Sequence, residues 1–275
     1  MAPWQTGTVE ANGVRLFYTR TGGELPPLLL AHGFSDDGPC WTPIAEALAP
    51  DHDLIMVDAR GHGRSESPRQ PFTPVDMAAD LAAVARALGL RRPAVLGHSM
   101  GAVTTLALAS AYPDLPSAIL LEDPPPWWDA KQAAQADPNW REQQRRRLEG
   151  FKAFTREQLI AMQREAMPRW AEGELPYWAE AKLRFSLDLR LLQPGPPPGW
   201  PAALSKITCP ALLITADPTQ GALVYPAQAA ALAALLPQLQ VHHIADAGHS
   251  IRREQPARYI EIVRAFLAEH GPARS

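Results

Sequence analysis

The chain has 275 residues, 46% hydrophobic and 20% charged, with a formal net charge of −3, enough to bury a large core in one α/β domain that carries an insertion. Acidic and basic residues are interspersed, which gives no electrostatic reason for a nucleic acid or an anionic membrane as partner. Neither an N-terminal signal pattern nor a bilayer-length apolar run is present, so a soluble, cytoplasmic protein is expected.

Residues 6–19 alternate around Asn12-Gly13, a two-residue hairpin turn, so Thr8 to Glu10 and Val14 to Tyr18 are expected as an antiparallel edge hairpin. The apolar run Pro27-Leu28-Leu29-Leu30-Ala31 suits a strand buried on both faces of a parallel sheet, and it ends at His32-Gly33-Phe34. Trp41 to Leu48 has helical spacing. Asp53-Leu54-Ile55-Met56-Val57 is a second buried strand, ending at Asp58-Ala59-Arg60-Gly61-His62-Gly63-Arg64-Ser65. A helix from about Pro74 to Leu88 follows, then the β-type stretch Pro93 to Leu96, the run Gly97-His98-Ser99-Met100-Gly101 and a helix through Ala109. Ser117 to Leu121 is the next strand, with Glu122-Asp123 at its end.

The rhythm breaks at Pro124-Pro125-Pro126. Residues 124–205 look helical and rich in Arg and Trp, closing with Pro194-Gly195-Pro196-Pro197-Pro198-Gly199-Trp200-Pro201, a stiff linker that should be neither helix nor central strand. Arg145-Arg146-Arg147 within it is expected to be a solvated helix face. Strand Ala211 to Thr215, helix Pro226 to Leu236, strand Gln240 to Ile244, the loop Ala247-Gly248-His249-Ser250 and a helix to about Ala268 complete the chain. The expected fold is α/β: a mostly parallel sheet flanked by helices, formed by residues 1–123 and 206–275, with a helical cap inserted over 124–205. Its site should lie at the carboxyl ends of the strands. Cys40 and Cys209 lack metal-ligand spacing and are expected to be reduced, and neither a metal nor a cofactor is implied.

A serine between two glycines, after a strand and before a helix, points to a nucleophile on a sharp strained turn. Ser99 would project into the site, and the Met100 amide at the helix start would face a developing negative charge. A serine hydroxyl needs a base, and His249, in a glycine-containing loop near the C-terminus, is the best placed histidine. His98, beside the nucleophile, should point away from it. His32 and His62 suit structural or pocket-lining places, and His242 and His243 fall in a strand.

With His32-Gly33-Phe34, Asp58 through Ser65, Gly97 through Gly101 and Gly248-His249 in this order, the chain resembles α/β-hydrolase-fold proteins over nearly its whole length. The resemblance implies that the Phe34 amide is the second oxyanion donor beside Met100. It also implies an acid to orient His249. Many members carry it after the strand that here ends at Ala216-Asp217-Pro218, but Asp217 stands about two positions early. Others, including haloalkane dehalogenases and a mycotoxin lactonase group, carry it at the end of the strand after the nucleophile helix, where Asp123 lies. Asp123 is therefore favoured over Asp217, while Glu122 should face the opposite side of its strand. The dehalogenating and epoxide-cleaving relatives use an aspartate as nucleophile, so a serine argues for acyl transfer and hydrolysis.

Six of the eight tryptophans, Trp127, Trp128, Trp140, Trp170, Trp178 and Trp200, fall within or beside the insertion. About half should fill its small core. Trp127 and Trp128 follow Asp123 closely and are expected to line the substrate site, with Met162, Met167 and Phe185 adding adaptable apolar surface. The expected function is hydrolysis of a carboxylic ester or lactone with a bulky apolar body. The loops His32 to Trp41 and Leu121 to Pro125 resemble those of serine-dependent macrolide esterases. Amide or carbon–carbon bond hydrolysis on the same machinery, and a non-catalytic ligand-binding receptor of the same fold, are the alternatives.

Overall fold

A computed structural model describes residues 4–129, 137, 139–186, 188–196 and 199–272. Among the described residues eight strands form one sheet: β1 (Gln5–Ala11), β2 (Val14–Arg20), β3 (Pro27–Ala31), β4 (Asp53–Val57), β5 (Ala94–His98), β6 (Ile119–Glu122), β7 (Ala211–Thr215) and β8 (Leu239–His243). Their order is β1-β2-β4-β3-β5-β6-β7-β8. The β1–β2 and β2–β4 pairs are antiparallel and the rest are parallel. Asn12 and Gly13 take φ of 47° and 74°, the left-handed pair that matches the twist of a hairpin.

The apolar runs are continuous because both faces of the central sheet are covered. On β3, Leu29 enters one core layer and Leu28 and Leu30 the other. The first layer includes Leu81 and Val84 of α2 (Pro74–Ala87), Val103 and Leu106 of α3 (Met100–Ala111) and Leu232 of α8 (Pro226–Leu235). The second includes Ile44 and Leu48 of α1 (Thr42–Leu48) and Tyr259, Val263 and Phe266 of α9 (Pro256–His270). Each such fully buried side chain stabilises the fold by about 1.5–3 kcal/mol.

Between β6 and β7 the chain forms α4 (Trp140–Phe151), α5 (Arg156–Ala166), α6 (Leu175–Arg184) and α7 (Trp200–Leu204). The start of α5 is fixed by Thr155, whose side chain accepts from the Gln158 amide while Gln158 answers the Thr155 amide. Leu159, Trp170, Leu175 and Trp178 make a small core for these helices. Phe72, Met77, Leu148, Phe185 and Leu192 pack them onto the sheet domain. Arg145 and Arg146 are exposed and paired with Glu142, the former also with Glu149, as a solvated face would be.

The proline-rich exit is corrected at its end. Trp200-Pro201 opens α7 instead of extending a linker, since proline is tolerated in the first turn of a helix, and Trp200 and Leu204 bury in the sheet-domain core. Pro197 and Pro198 lie outside the described residues. Cys40 and Cys209 are free and buried. Burial pushes the Cys40 thiol well up, and that of Cys209 to about 11, so both are inert at neutral pH. Among the described residues no helix is long and apolar enough to cross a membrane.

Candidate active site

Ser99 joins β5 to α3 with φ 53° and ψ −115°, a strained conformation for a residue with a Cβ. The surrounding turn is held by backbone bonds, Ser99 N–H to the Glu122 carbonyl and Ala102 N–H to the Ser99 carbonyl. The flanking glycines are required by close approach. A Cβ on Gly97 would stand 2.3 Å from the Gly101 carbonyl oxygen, and one on Gly101 would stand 2.1 Å from that of Ala31. Because these obstacles are backbone, Gly101→Ala is expected to cost at least about 2 kcal/mol of stability, read as a lower denaturation midpoint. A midpoint equal to the wild type would show that the turn tolerates a wider separation of β3 and α3.

His249 Nδ1 lies 2.6 Å from Asp123 Oδ2. An ionised carboxylate only accepts, so Nδ1 carries the proton and Nε2 is left with a lone pair for a hydroxyl. Asp123 is fully buried, with φ 41°, and both its oxygens are further fixed. Leu223 N–H donates to Oδ2 at 2.8 Å and Oδ1 at 3.0 Å, and Val224 N–H to Oδ1 at 3.0 Å. Asp217, the alternative acid, is elsewhere. Its Oδ1 takes His243 Nε2 at 3.0 Å, and its Oδ2 takes the Asp246 amide and the Gln220 side chain. Glu122 does face the other way, buried against Arg252 and Tyr259.

His98 is in register with Glu122 on the neighbouring strand, and its partner is the loop that carries the base. Its ring packs 4.8 Å from that of His249, and its Nε2–H donates to the His249 carbonyl oxygen at 3.0 Å. Burial, and then the charge of Arg252, hold its pKa well below the usual imidazole value. A neutral His98 thus anchors the backbone that carries His249.

Ser99, His249, Phe34 and Met100 line one cavity of about 650 Å³. Among the described residues Ser99 Oγ and His249 Nε2 make no hydrogen bond, so both are available to a substrate. The Phe34 and Met100 amide N–H groups are likewise without partners among the described residues, as oxyanion donors would be before substrate arrives. The Gly33–Phe34 peptide is aimed by its carbonyl. Ala59 N–H donates to His32 Nε2 at 2.9 Å, so His32 Nδ1 carries the proton and donates to the Gly33 oxygen at 2.8 Å. In a planar trans peptide this fixes the opposite direction of the Phe34 N–H.

Trp127 lines the cavity, with Trp140, Trp170 and Met167. Trp128 does not. It is 6% exposed in the sheet-domain core and its Nε1–H donates to the Gln228 carbonyl at 2.8 Å, which turns the indole away from the site. Met162 belongs to the small core of the insertion, and Phe185 is buried edge-on to Phe34. The charged groups Asp36, Lys182 and Arg253 also border the cavity and were not singled out by sequence. The two adjacent carboxylates in Phe34-Ser35-Asp36-Asp37 were the one available hint, but their partners are far away in the chain. Among the described residues no three His, Cys, Asp or Glu side chains gather as a metal site would require.

Residues 28–262 match the model of the alpha/beta hydrolase family. The chain is 30% identical over 256 residues to an N-formylmaleamate deformylase of Pseudomonas putida, covering 89% of this chain and 90% of that one. Among solved structures, an N-formylmaleamic acid deformylase from P. putida S16 superposes with a TM-score of 0.73 at 26% identity, covering 94% of this chain and all of the other. A thermophilic esterase from Thermogutta terrifontis gives 0.67 at 28% identity, covering 98% of this chain and all of the other. With its sheet order, its strained serine turn and this family match over most of its length, the chain belongs to the alpha/beta hydrolase family and is a hydrolase.

Proposed function

We propose that the protein is a serine hydrolase that cleaves a carboxylic ester or lactone with a bulky, largely apolar body, through an acyl-enzyme on Ser99. The observation that carries this reading is the arrangement of Ser99, on its strained turn, in one cavity with a His249 whose tautomer is set by buried Asp123. His249 Nε2 takes the Ser99 proton as Oγ attacks the carbonyl, and the Phe34 and Met100 amides hold the oxyanion. His249 then gives the proton to the leaving group and takes one from water, which releases the acid and restores Ser99. Residues 124–205 act as the cap, and Trp127, Trp140 and Trp170 offer aromatic faces to the substrate. No cofactor takes part in this scheme.

A second reading, amide hydrolysis, is favoured by two of the matches: the Pseudomonas putida relative is by name a deformylase of N-formylmaleamate, and the superposed P. putida S16 structure is an N-formylmaleamic acid deformylase. The nucleophile machinery serves either leaving group, whereas a receptor without turnover would have no use for a base held in one tautomer. The wild type should therefore be assayed on matched aryl esters, aryl lactones and N-formyl or N-acyl amides. Esters or lactones are expected to exceed the amides in kcat/KM by at least about tenfold, a difference of about 1.4 kcal/mol in transition-state binding. A preference for the amides would replace the ester reading by the second one, and ligand recovered unchanged after long incubation would revive the receptor.

A further inference from the structure

The carbonyl of Gly33, whose direction sets the Phe34 amide, accepts a second bond at 3.1 Å from the Asp36 N–H. Asp36 is held from two sides. Lys182, on α6 of the insertion, places Nζ 2.8 Å from Asp36 Oδ1 and 2.9 Å from the Ser35 carbonyl oxygen. Arg253, just beyond His249, places Nη2 2.9 Å from Asp36 Oδ2. Arg252 Nη2 lies 3.6 Å from the same oxygen, and Arg253 also reaches Glu174. The side chains of Asp36, Lys182 and Arg253 are each at most 4% exposed. Between the Gly33 carbonyl and this buried carboxylate stands Ser35, with φ 62°, a conformation that an unsupported serine abandons easily.

We propose, building on the Ser99 reading above, that Lys182 is a positioning residue for the oxyanion hole, holding the Phe34–Asp36 turn from the helical insertion so that the Phe34 amide faces the oxygen of the reacting carbonyl. The contacts are local and directional. One ammonium bridges the Ser35 carbonyl and the Asp36 carboxylate, so its loss frees the Ser35 carbonyl and leaves the Asp36 carboxylate held from the Arg253 side alone. Arg253 still compensates the Asp36 charge when Lys182 is gone, so the cost falls on the geometry of the turn more than on an uncompensated buried ion. The insertion thereby does more than cover the substrate: its docking completes the site.

The test compares wild type, Lys182→Met and Lys182→Arg for thermal stability, for kcat and KM on a nitrophenyl ester, and for inhibition by phenylboronic acid. The boron of that probe binds Ser99 Oγ, and one of its oxygens takes the oxyanion position. Lys182→Met is expected to lower kcat at least tenfold, with KM within about twofold, and to weaken the boronic acid by a factor similar to the loss in kcat, since an oxyanion donor acts mainly in the transition state. Lys182→Arg, with a cation that reaches the same acceptors, should recover most of both. Unchanged kcat in a folded Lys182→Met, or a raised KM at unchanged kcat, would overturn the proposal, the latter by making Lys182 a substrate contact. Should Lys182→Met fail to fold, Lys182→Gln, which keeps a donor for one of the two acceptors, carries the same readout. A wild type that neither turns over an ester nor binds the boronic acid would sink the Ser99 reading itself, and with it this one.

Discussion

Ser99→Ala is expected to lower kcat on a short-chain nitrophenyl ester by on the order of 10⁴-fold or more, with folding and ground-state binding preserved. Among the described residues the bonds that shape the turn come from backbone, the Ser99 amide to Glu122 and the Ser99 carbonyl accepting from Ala102 and Val103, and none comes from Oγ. Alanine has the same Cβ as serine and meets the same strain at φ 53°, so the backbone has no new reason to relax. What disappears is the acyl acceptor. The Phe34 and Met100 donors are main-chain groups and survive the change, so a small residual rate by direct attack of water is the expected remainder. A variant that keeps more than about a hundredth of the wild-type rate, against an expected loss nearer 10⁴-fold, would place the chemistry on another group. Labelling of the wild type by a fluorophosphonate, absent in the variant, gives a second reading that does not depend on the choice of ester.

How much of this could be read from sequence follows from the range of each interaction. The sheet was legible because burial on both faces forces continuous apolar runs such as Leu28 to Ala31 and Leu54 to Val57, a pattern that needs no partner to be recognised. The serine turn was legible because its constraints are local: Gly97 and Gly101 stand within two positions of Ser99. Direction was harder. Trp127 and Trp128 are neighbours of equal chemistry, yet one faces the cavity and the other the core, and Gln228, whose carbonyl holds Trp128, lies a hundred residues away. The partner of His98 was hidden for the same reason, being the His249 carbonyl 151 residues away. The Asp36 cluster draws on Lys182, from the insertion, and Arg253, from the last loop, with separations of 146 and 217 residues that no motif spans.

The choice between Asp123 and Asp217 shows what geometry adds, and Asp123→Asn is expected to lower kcat by about 10³–10⁴-fold where Asp217→Asn stays near wild type. The orientation of the new amide decides the outcome. With its nitrogen at the Oδ1 position, it would meet the N–H groups of both Leu223 and Val224, donor against donor. At the Oδ2 position it meets one of them, Leu223, and His249 Nδ1. The second orientation is the less costly, and it presents a donor to Nδ1. The imidazole answers by moving its proton to Nε2, the tautomer that cannot accept from Ser99. Asp217→Asn with its oxygen at the Oδ2 position keeps the bonds from the Asp246 amide and Gln220 and changes the contact to His243, which is 50% exposed and outside the cavity. A dead Asp217→Asn beside an active Asp123→Asn would mean that the loop carrying Asp217 swings to His249 during turnover. Loss in both variants, with both folded, would mean that the bond from the Asp246 N–H to Asp217 Oδ2 also steers the His249 loop.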